Sequence, residues 1–538
     1  MTQPDSGVNL SEPSHGHDPK QTRRLTILAL AFLAVVIGTA RVHTFNEPFE
    51  RDITLYAVVA HEMLAGRDLY SDLWEHKPPA VFLTYAAAEL VGGYGPSSIY
   101  LLVVAGAVVT MIGLYRVTRE LGAGVFGGLC AATYWAVLSG DLHLEANQPN
   151  TEVFLNASLV WALAFLAQAR ERPAGRWRWM WIGALFAWAS LYKQVVLAIP
   201  VLLVGAHCFF PPPQTSRRQA LVQAGLIGCV IAAAWGAVMA YFAVVGRFGA
   251  FWETVITFNS FYAGNMSGNL ILSLRPGKLF PESMRPLWPF VAFAGMGLVA
   301  VIVKAPARVW MLLLAYVVGA QITVALPGHF FAHYYQLWLP PLILVAAMAL
   351  DEVWELRRRF VPWLAPVLAV VLIGFLLSRE IPLYRLTAEE WSERKYRGGF
   401  EATKRMGLAL PAMLEPGETF YTWGDETGLY FYSQQSPPSG LIHNYGALEG
   451  PLVDKLVTRL LADLSARPPD LFIIERNLLS PAEKGLNLWM DPRVFEWFSA
   501  HYNPQPVVAT ESHFILHPRR GSKLEARMKA NAGQLTAE

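Results

Sequence analysis

Acidic residues and isolated lysines occupy the polar segments between the long apolar stretches of this chain. The first such segment contains Asp52 and Lys77, and Lys77 precedes two prolines. The second contains Glu145 and Glu152, while Lys193 stands alone between two further apolar stretches. Carboxylates can take a proton from a hydroxyl group, and lysines can neutralise developing negative charge. These residue types favour a catalytic site.

Each of these residues also has a structural explanation when it is taken alone. Asp52 could cap a helix that follows it, and Glu152 could complement the positive end of its own helix. Lys77 and Lys193 could be interfacial lysines, and the histidine-containing aromatic cluster at 327–336 could be an interfacial belt. All of them fall on one side of the predicted membrane, which favours a shared site at the lipid headgroup level.

The composition predicts that most of the chain lies in lipid. Of the 538 residues, 54% are hydrophobic and 16% are charged, whereas soluble proteins average about 25% charged residues. A net charge of +2 with scattered basic residues excludes a nucleic-acid partner. The cysteines lie in apolar runs without metal-site or redox spacing. Residues 1–24 are polar and predict a disordered cytoplasmic tail.

Apolar stretches of about 20 residues predict membrane-spanning helices, because a helix satisfies its own backbone in lipid. We predict eleven spans, at 25–41, 98–116, 123–140, 151–169, 180–192, 194–210, 220–245, 287–303, 309–326, 337–350 and 361–377. The apolar segment 80–93 is short, so we interpret it as a juxtamembrane or partly inserted helix.

Basic residues alternate along the chain, and this sets the predicted orientation, because short loops rich in Lys and Arg stay in the cytoplasm. The cytoplasmic positions would be Arg23, Arg24, Arg116, Arg119, 170–178, Arg217, Arg218, Lys304, Arg308 and 357–359. The chain is thus predicted to be a multi-pass protein of the cytoplasmic (inner) membrane, with a cytoplasmic N-terminus. The first outer loop would be 42–97, within a transmembrane domain at 25–379.

Residues 380–538 are predicted to form a soluble extracytoplasmic domain. Val453, Leu456, Leu460 and Leu464 follow a helical period. Strand-like runs occur at 418–423, 470–474 and 514–517. We therefore expect a small α/β domain, which could cap the site, bind an acceptor or have a purely structural role.

The order of motifs along the chain resembles that of the GT-C glycosyltransferases. The motifs are Asp52, Gly-x-x-Leu-Tyr at 66–70, Lys-Pro-Pro at 77–79, the acidic loop at 141–152, Lys193 and Gly-His-Phe-x-x-His-Tyr at 328–334. The resemblance covers residues 25–350, with a weaker echo at 421–425. It points to the branch with protein O-mannosyltransferases, the lipid A aminoarabinose transferase and lipopolysaccharide sugar transferases, and implies a polytopic α-helical fold of about 11 to 13 transmembrane helices.

The resemblance also implies roles for particular residues. The catalytic carboxylates would be Asp52 with Glu145 or Glu152. The donor phosphate would be bound by Lys77, Lys193, His329 and His333. The acceptor would contact Trp252, Tyr262 and Tyr334. Ile53 and Thr54 follow Asp52 where many relatives carry another acid or Ser, which leaves the participation of a divalent cation open.

The implied function is transfer of a hexose or pentose from a polyprenyl-phosphate-linked donor. The acceptor would be lipopolysaccharide or another lipid, a cell-envelope glycan or a protein on the outer face of the cytoplasmic membrane. Direct attack would invert the anomeric centre, and one base suffices because the phosphate is already a good leaving group. The alternatives are a transporter or flippase of a lipid-linked saccharide and a non-catalytic membrane scaffold.

Overall fold

The computed structural model describes residues 19–168, 175–356, 361–476, 490–503, 508–509 and 514–535. Three sequence predictions fall wholly or partly outside these ranges. They concern the tail at 1–24, of which 1–18 is outside, and the basic loops at 170–178 and 357–359. The first helix begins at Pro19, before the predicted start of the first span.

The chain from residue 19 to 385 is mostly helical. Its α-helices are Pro19–Ala40, Arg51–Leu64, Ala80–Gly92, Pro96–Glu120, Val125–Leu138, Thr151–Gln168, Arg176–Ser190, Ala198–Phe209, Arg217–Val244, Phe248–Trp252, Asn259–Ala263, Met266–Ser273, Pro276–Leu279, Trp288–Lys304, Ala307–Ala325, Leu339–Leu356 and Leu364–Glu380. Short 3₁₀ segments occur at Val42–Thr44, Gln194–Leu197, Arg285–Leu287, Ala332–Trp338 and Ile381–Arg385, and Glu253–Phe258 forms a π-helical turn.

Each of the eleven predicted spans contains a helix. Within the ranges that the structure describes, eight helical segments are long and apolar enough to cross a membrane: Pro19–Thr44, Pro96–Glu120, Thr151–Gln168, Arg217–Val244, Arg285–Lys304, Ala307–Ala325, Ala332–Glu355 and Leu364–Arg385. The other three predicted spans correspond to the shorter helices Val125–Leu138, Arg176–Ser190 and Gln194–Phe209. The segment predicted as juxtamembrane is the short apolar helix Ala80–Gly92.

Small residues let the long helices pack closely. Gly106 and Gly113, on the Pro96–Glu120 helix, face the Thr151–Gln168 helix, and a Cβ atom on Gly113 would lie 2.7 Å from a methyl group of Val160. Small residues at such interfaces allow helix backbones to approach in lipid. This packing holds the start of the Thr151–Gln168 helix, and hence Glu152, beside the first outer loop.

The part of the chain after residue 385 contains the helices Ala388–Tyr396, Phe400–Met413, Gly428–Ser433, Tyr445–Leu448, Val453–Ala466, Pro492–His501 and Lys523–Leu535. Its strands are β1 (Phe420–Trp423), β2 (Leu471–Glu475), β3 (Val508–Ala509) and β4 (Phe514–Pro518). They form one sheet in the order β1-β2-β4-β3, in which β1 and β2 are parallel and the other pairs antiparallel. The predicted helix and the three predicted strands are therefore confirmed.

This C-terminal part is anchored by buried contacts on the segment 42–97 and on the acidic loop at 141–152. Lys395 donates hydrogen bonds to Glu47, at 2.8 Å, and to Asn147, at 2.9 Å, and the Lys395 side chain is completely buried. Trp74 from the first loop packs in one apolar cluster with Tyr421 and Trp423 of β1. Because the two parts share a core, the C-terminal part is held in place over these two segments.

Candidate active site

A cavity of about 530 Å³ lies where the segments between the long apolar helices meet the C-terminal part of the chain. Most of the residues predicted for the site line it, namely Asp52, Lys77, Glu145, Lys193, Tyr262, His329, His333 and Tyr334. The other lining residues are Glu50, Arg51, Leu55, Glu75, His76, Thr151, Phe331, Tyr396, Gly398, Phe400, Asp425, Thr427, His443 and Tyr445. Segments far apart in the sequence therefore converge on one space.

Asp52 lies in the first turn of the Arg51–Leu64 helix, where the positive end of the helix favours a negative charge. The hydroxyl group of Tyr56 donates a hydrogen bond to its Oδ2 at 3.0 Å. The Lys77 ammonium lies 3.6 Å from the same oxygen. Burial is the largest effect and would raise the pKa of Asp52, but the charges of Lys77 and His333 and the Tyr56 hydrogen bond together hold the pKa below its usual value. Asp52 is therefore an ionised carboxylate that can accept a proton.

Lys77 is held between two carboxylates, with its Nζ atom 3.6 Å from Asp52 and 3.9 Å from Glu75. Its backbone is fixed as well, because the Tyr70 hydroxyl donates to the Lys77 carbonyl at 2.8 Å and the Lys77 N–H donates to Glu75 at 3.1 Å. Burial would lower the pKa of Lys77, but the two carboxylates outweigh it and raise the pKa. Lys77 thus carries a permanent positive charge on the cavity wall.

Lys193 follows the Arg176–Ser190 helix and pairs with Glu152 at 2.5 Å. The Glu152 side chain is 1% exposed and does not line the cavity, whereas Lys193 does. The Lys193 ammonium also lies 3.7 Å from the centre of the Tyr334 ring. Burial lowers the pKa of Lys193, although the Glu152 charge opposes this effect. The geometry makes Glu152 the counter-charge that positions Lys193.

Glu145 and His333 form a second charged pair, with 2.9 Å between His333 Nδ1 and a Glu145 oxygen. Glu145 has a left-handed backbone (φ 54°), and Gln336 donates to its carbonyl oxygen at 3.3 Å. His329 stacks on Tyr262, with 4.2 Å between the ring centres. Burial lowers the pKa of His329, so this ring is neutral at pH 7. The two histidines therefore have different surroundings, and His333 is the one paired with a carboxylate.

The C-terminal part contributes its own charged groups to the cavity. His443 Nε2 lies 3.1 Å from Glu75, and its Nδ1 lies 4.0 Å from Asp425. Burial is the largest effect and would lower the pKa of His443, but the hydrogen bond with Glu75 and the negative charges of Glu75, Asp425 and Asp52 together raise the pKa. Arg51 lies 3.7 Å from Asp425, and the Thr427 hydroxyl donates to the Arg51 carbonyl at 2.9 Å. Residues of the C-terminal part therefore fix the start of the Arg51–Leu64 helix, which carries Asp52.

A second cavity of about 220 Å³ adjoins the first and is mainly apolar. The residues that line both cavities are His76, Lys77, Lys193, Tyr262 and Tyr334. The second cavity continues between apolar side chains, among them Val195, Val255, Ile256, Ala263 and Met266. The two lysines thus stand at the junction of an apolar cavity and a cavity rich in carboxylates.

The structure leaves two predicted site residues, Glu152 and Trp252, off both cavity walls and adds other residues to the site. Trp252 is 42% exposed and lies on neither cavity wall. Glu75 lies two residues before Lys77 of the Lys-Pro-Pro motif, and Asp425 lies in the short echo at 421–425, so the sequence held a signal for both. His443 had no local signal, because its relation to Glu75 depends on how the C-terminal part docks.

Two carboxylates of the cavity lie beside basic side chains, Asp52 beside Lys77 and Glu145 beside His333. Among the residues with described positions, no group of three or more His, Cys, Asp or Glu side chains is placed to hold a metal ion.

Comparison with known structures identifies the class of fold. ArnT from Cupriavidus metallidurans bound to undecaprenyl phosphate is similar over 93% of this chain and 99% of that chain, with 16% identity and a TM-score of 0.58. The oligosaccharyltransferase AglB from Archaeoglobus fulgidus, in complex with an inhibitory peptide and a dolichol-phosphate, is similar over 95% of this chain and 78% of that chain, with 13% identity and a TM-score of 0.52. The chain therefore has the fold that these two transferases share, which is the fold that the resemblance in the sequence implied.

A family model gives a more specific match within this class. Residues 76–244 match the family described as Dolichyl-phosphate-mannose-protein mannosyltransferase. None of the curated protein sequences matches the chain. With its apolar helices, the chain is a multi-pass membrane protein, and the proteins that it resembles are glycosyltransferases.

Proposed function

We propose that this protein is a glycosyltransferase that moves a sugar from a polyprenyl-phosphate-linked donor to an acceptor on the outer face of the cytoplasmic membrane. The observation that carries the proposal is the junction of the two cavities at Lys77 and Lys193. A lipid-linked phosphate needs apolar surroundings for its tail and positive charge for its head. The junction offers both, next to the ionised carboxylate of Asp52.

The chemistry of each step follows from the positions of these groups. Asp52 takes the proton of the acceptor hydroxyl group while the hydroxyl oxygen attacks the anomeric carbon of the donor sugar. The bond between that carbon and the phosphate oxygen breaks, and its electron pair leaves with the polyprenyl phosphate. Lys77 and Lys193 neutralise the phosphate as it gains charge, and their effect is strengthened because water is partly excluded. Attack opposite the leaving group inverts the anomeric centre.

We assign the remaining site residues by their place around this junction. Tyr262 and Tyr334 line both cavities, so they would contact the donor sugar and its phosphate as well as the acceptor. Glu145 and His333 would form the opposite wall of the donor site. Trp252 lies on neither cavity wall and is not included in the site.

The C-terminal part would complete the acceptor side of the site. Tyr396, Phe400 and Tyr445 line the carboxylate-rich cavity but not the apolar one. Aromatic faces and nearby polar groups together suit a ligand with apolar and hydroxyl surfaces. We infer that an outer domain at 380–538 binds acceptor over a transmembrane domain at 25–379. The basic segments at alternate ends of the spans support an outward-facing site.

The decisive experiment uses the purified chain in liposomes with polyprenyl-phosphate-linked hexoses and pentoses that carry a radiolabelled sugar. A cell-envelope extract supplies glycolipid, glycan and protein acceptors. We expect label to move to an acceptor, with release of polyprenyl phosphate. Asp52→Asn should lower the rate by about 10²- to 10⁴-fold, because the base is lost.

A matched control is Asp68→Asn, which changes a carboxylate of the same loop. Asp68 is half-exposed, pairs with Arg247 at 2.8 Å and does not line the cavity. The control should keep its activity. Full activity in Asp52→Asn would contradict the assignment of the base.

The same assay separates this function from its alternatives. A transporter or flippase would move the lipid-linked saccharide across the membrane without releasing polyprenyl phosphate. A non-catalytic scaffold would do neither, and it does not require Asp52, Glu145, Lys77 and Lys193 to share one cavity as they do. The shared cavity therefore favours the enzyme.

A further inference from the structure

Glu50 is a carboxyl group in the cavity that the proposed reaction does not use. It immediately precedes the Arg51–Leu64 helix and lines the cavity together with Asp52. Two residues separated by one position point in different directions when both are helical. The backbone of Glu50 is extended instead (φ −67°, ψ 157°), which frees its side chain from this restriction. Both carboxyl groups can therefore face one ligand.

The two carboxyl groups have different partners. Asp52 accepts the Tyr56 hydroxyl and lies beside Lys77. In contrast, the Oε2 atom of Glu50 is buried and has no hydrogen-bond partner within the described ranges. Burying a carboxylate without a partner costs more free energy than burying the neutral acid. The neutral acid also carries an O–H group that can donate a hydrogen bond to a ligand. The environment of Glu50 therefore suits a protonated carboxyl group.

The surrounding charges agree with this geometry. Burial, and then the charge of Asp52, raises the pKa of Glu50 to about 8. The titratable and charged groups that face Glu50 are Arg51, Asp52, Tyr56, Tyr85, Glu145, His333, Lys395 and Tyr396. Arg51 and His333 oppose the shift but do not cancel it. At pH 7 Glu50 is thus neutral while Asp52 is ionised, a division of roles that lets one site hold an acid and a base.

We propose that Glu50 holds a proton and donates a hydrogen bond to a sugar hydroxyl group in the cavity. The proposal rests on the function proposed above, and it adds a binding residue to the base already assigned. The hydroxyl group belongs either to the transferred sugar or to the acceptor, because both present the same chemistry. In either case the ligand is held by a neutral donor, while the negative charge of Asp52 stays free for the attacking hydroxyl.

The first test compares the pH dependence of kcat/KM in the native enzyme, Glu50→Gln and Glu50→Ala. In the native enzyme kcat/KM should fall as the pH rises through about 8, because Glu50 then loses the proton that it donates. Glu50→Gln keeps an N–H donor and cannot ionise, so it should remain active and lose this alkaline fall. Glu50→Ala should lower kcat/KM by about 3- to 10-fold, as expected for one hydrogen bond.

The KM values identify the source of the hydroxyl group. A rise confined to the donor KM in Glu50→Ala assigns the transferred sugar, and a rise confined to the acceptor KM assigns the acceptor. The proposal is overturned if Glu50→Gln shows the same alkaline fall as the native enzyme. It is equally overturned if Glu50→Gln is as inactive as Asp52→Asn, because a carboxylate would then be required.

A second measurement does not depend on sugar transfer. Infrared difference spectra of the native protein and Glu50→Gln at pH 7 should contain the carbonyl stretch of one protonated carboxyl group. This band should disappear from the difference as the pH is raised above about 8. Its absence at pH 7 overturns the proposal even if the chain transfers sugar. If the band is present but the chain transfers no sugar, Glu50 is protonated as proposed and only the proposed function is contradicted.

Discussion

Replacement of Lys193 with Met tests whether Glu152 serves as a buried counter-charge. In the native chain the two groups lie 2.5 Å apart, and the Glu152 side chain is 1% exposed. In Lys193→Met the carboxylate keeps the Thr151 hydroxyl, at 3.1 Å, and its own backbone N–H, but it loses its positively charged partner. Loss of one partner of a buried pair costs about 3–5 kcal/mol, because the other charge stays buried. We expect the free energy of unfolding to fall by about 4 kcal/mol.

The double variant Lys193→Met/Glu152→Gln separates this buried charge from the loss of function. Gln has nearly the size of Glu and can keep the contact with Thr151. The double variant should therefore regain at least about 2 kcal/mol of the lost stability. It should not regain activity, because the donor phosphate still lacks Lys193. Loss of one such charge from the site should lower kcat/KM by about 10²- to 10³-fold.

The assay follows unfolding of each purified variant in detergent by tryptophan fluorescence, alongside sugar transfer from the lipid-linked donor. Lys455→Met is the control, because Lys455 pairs with Glu253 at the surface, where the two side chains are 62% and 40% exposed. It should change stability by less than about 0.5 kcal/mol. A double variant as unstable as Lys193→Met would refute the counter-charge role of Glu152. Recovered transfer in the double variant would refute the role of Lys193 at the phosphate.

Further predictions concern His443 in the C-terminal part and Trp252 in the helix Phe248–Trp252. His443→Gln should remain active because its amide can still donate to Glu75, whereas His443→Leu should lower kcat by about 3- to 10-fold through loss of that contact. The pKa of His443 is raised in the folded state, so its contribution to stability is present below pH 6.5 and is lost as the pH rises through the folded pKa. Unfolding measured across this range should show that loss in the native protein and not in His443→Gln. Trp252→Ala should leave the acceptor KM unchanged in the transfer assay, because Trp252 lies on neither cavity wall. Tyr262→Ala should raise the acceptor KM, because Tyr262 lines both cavities. An increased acceptor KM in Trp252→Ala would place the acceptor path over the segment that contains Trp252.

Local patterns were sufficient to predict the long apolar helices, one helix of the C-terminal part and three of its strands. The run at 98–116 is almost entirely apolar up to Arg116, and in lipid such a run can satisfy its backbone only as a helix. The structure has the helix Pro96–Glu120 there. In the C-terminal part, the spacing of Val453, Leu456 and Leu460 predicted one buried helical face, and these residues lie on Val453–Ala466. Such patterns repeat over a few residues, so they can be read without the rest of the chain.

The pairing of charges in the site could not be predicted in the same way. Glu152 and Glu145 were equivalent candidates in the sequence, since both lie in one acidic loop. In the structure Glu152 is buried against Lys193, while Glu145 faces the cavity and meets His333. Helix packing decides this difference, because it determines which side of the loop is covered.

The sequence by itself determined that this protein lies in a membrane and which types of group its outer loops can supply. The hydropathy of a segment and the basic residues beside it determine whether lipid or water suits that segment, so each segment can be interpreted on its own. Only the tertiary structure decided that Lys77 and Lys193 meet at the junction of two cavities and that His443 reaches Glu75. Those contacts join residues far apart in the chain, and they exist because the loops and the C-terminal part pack on a common core.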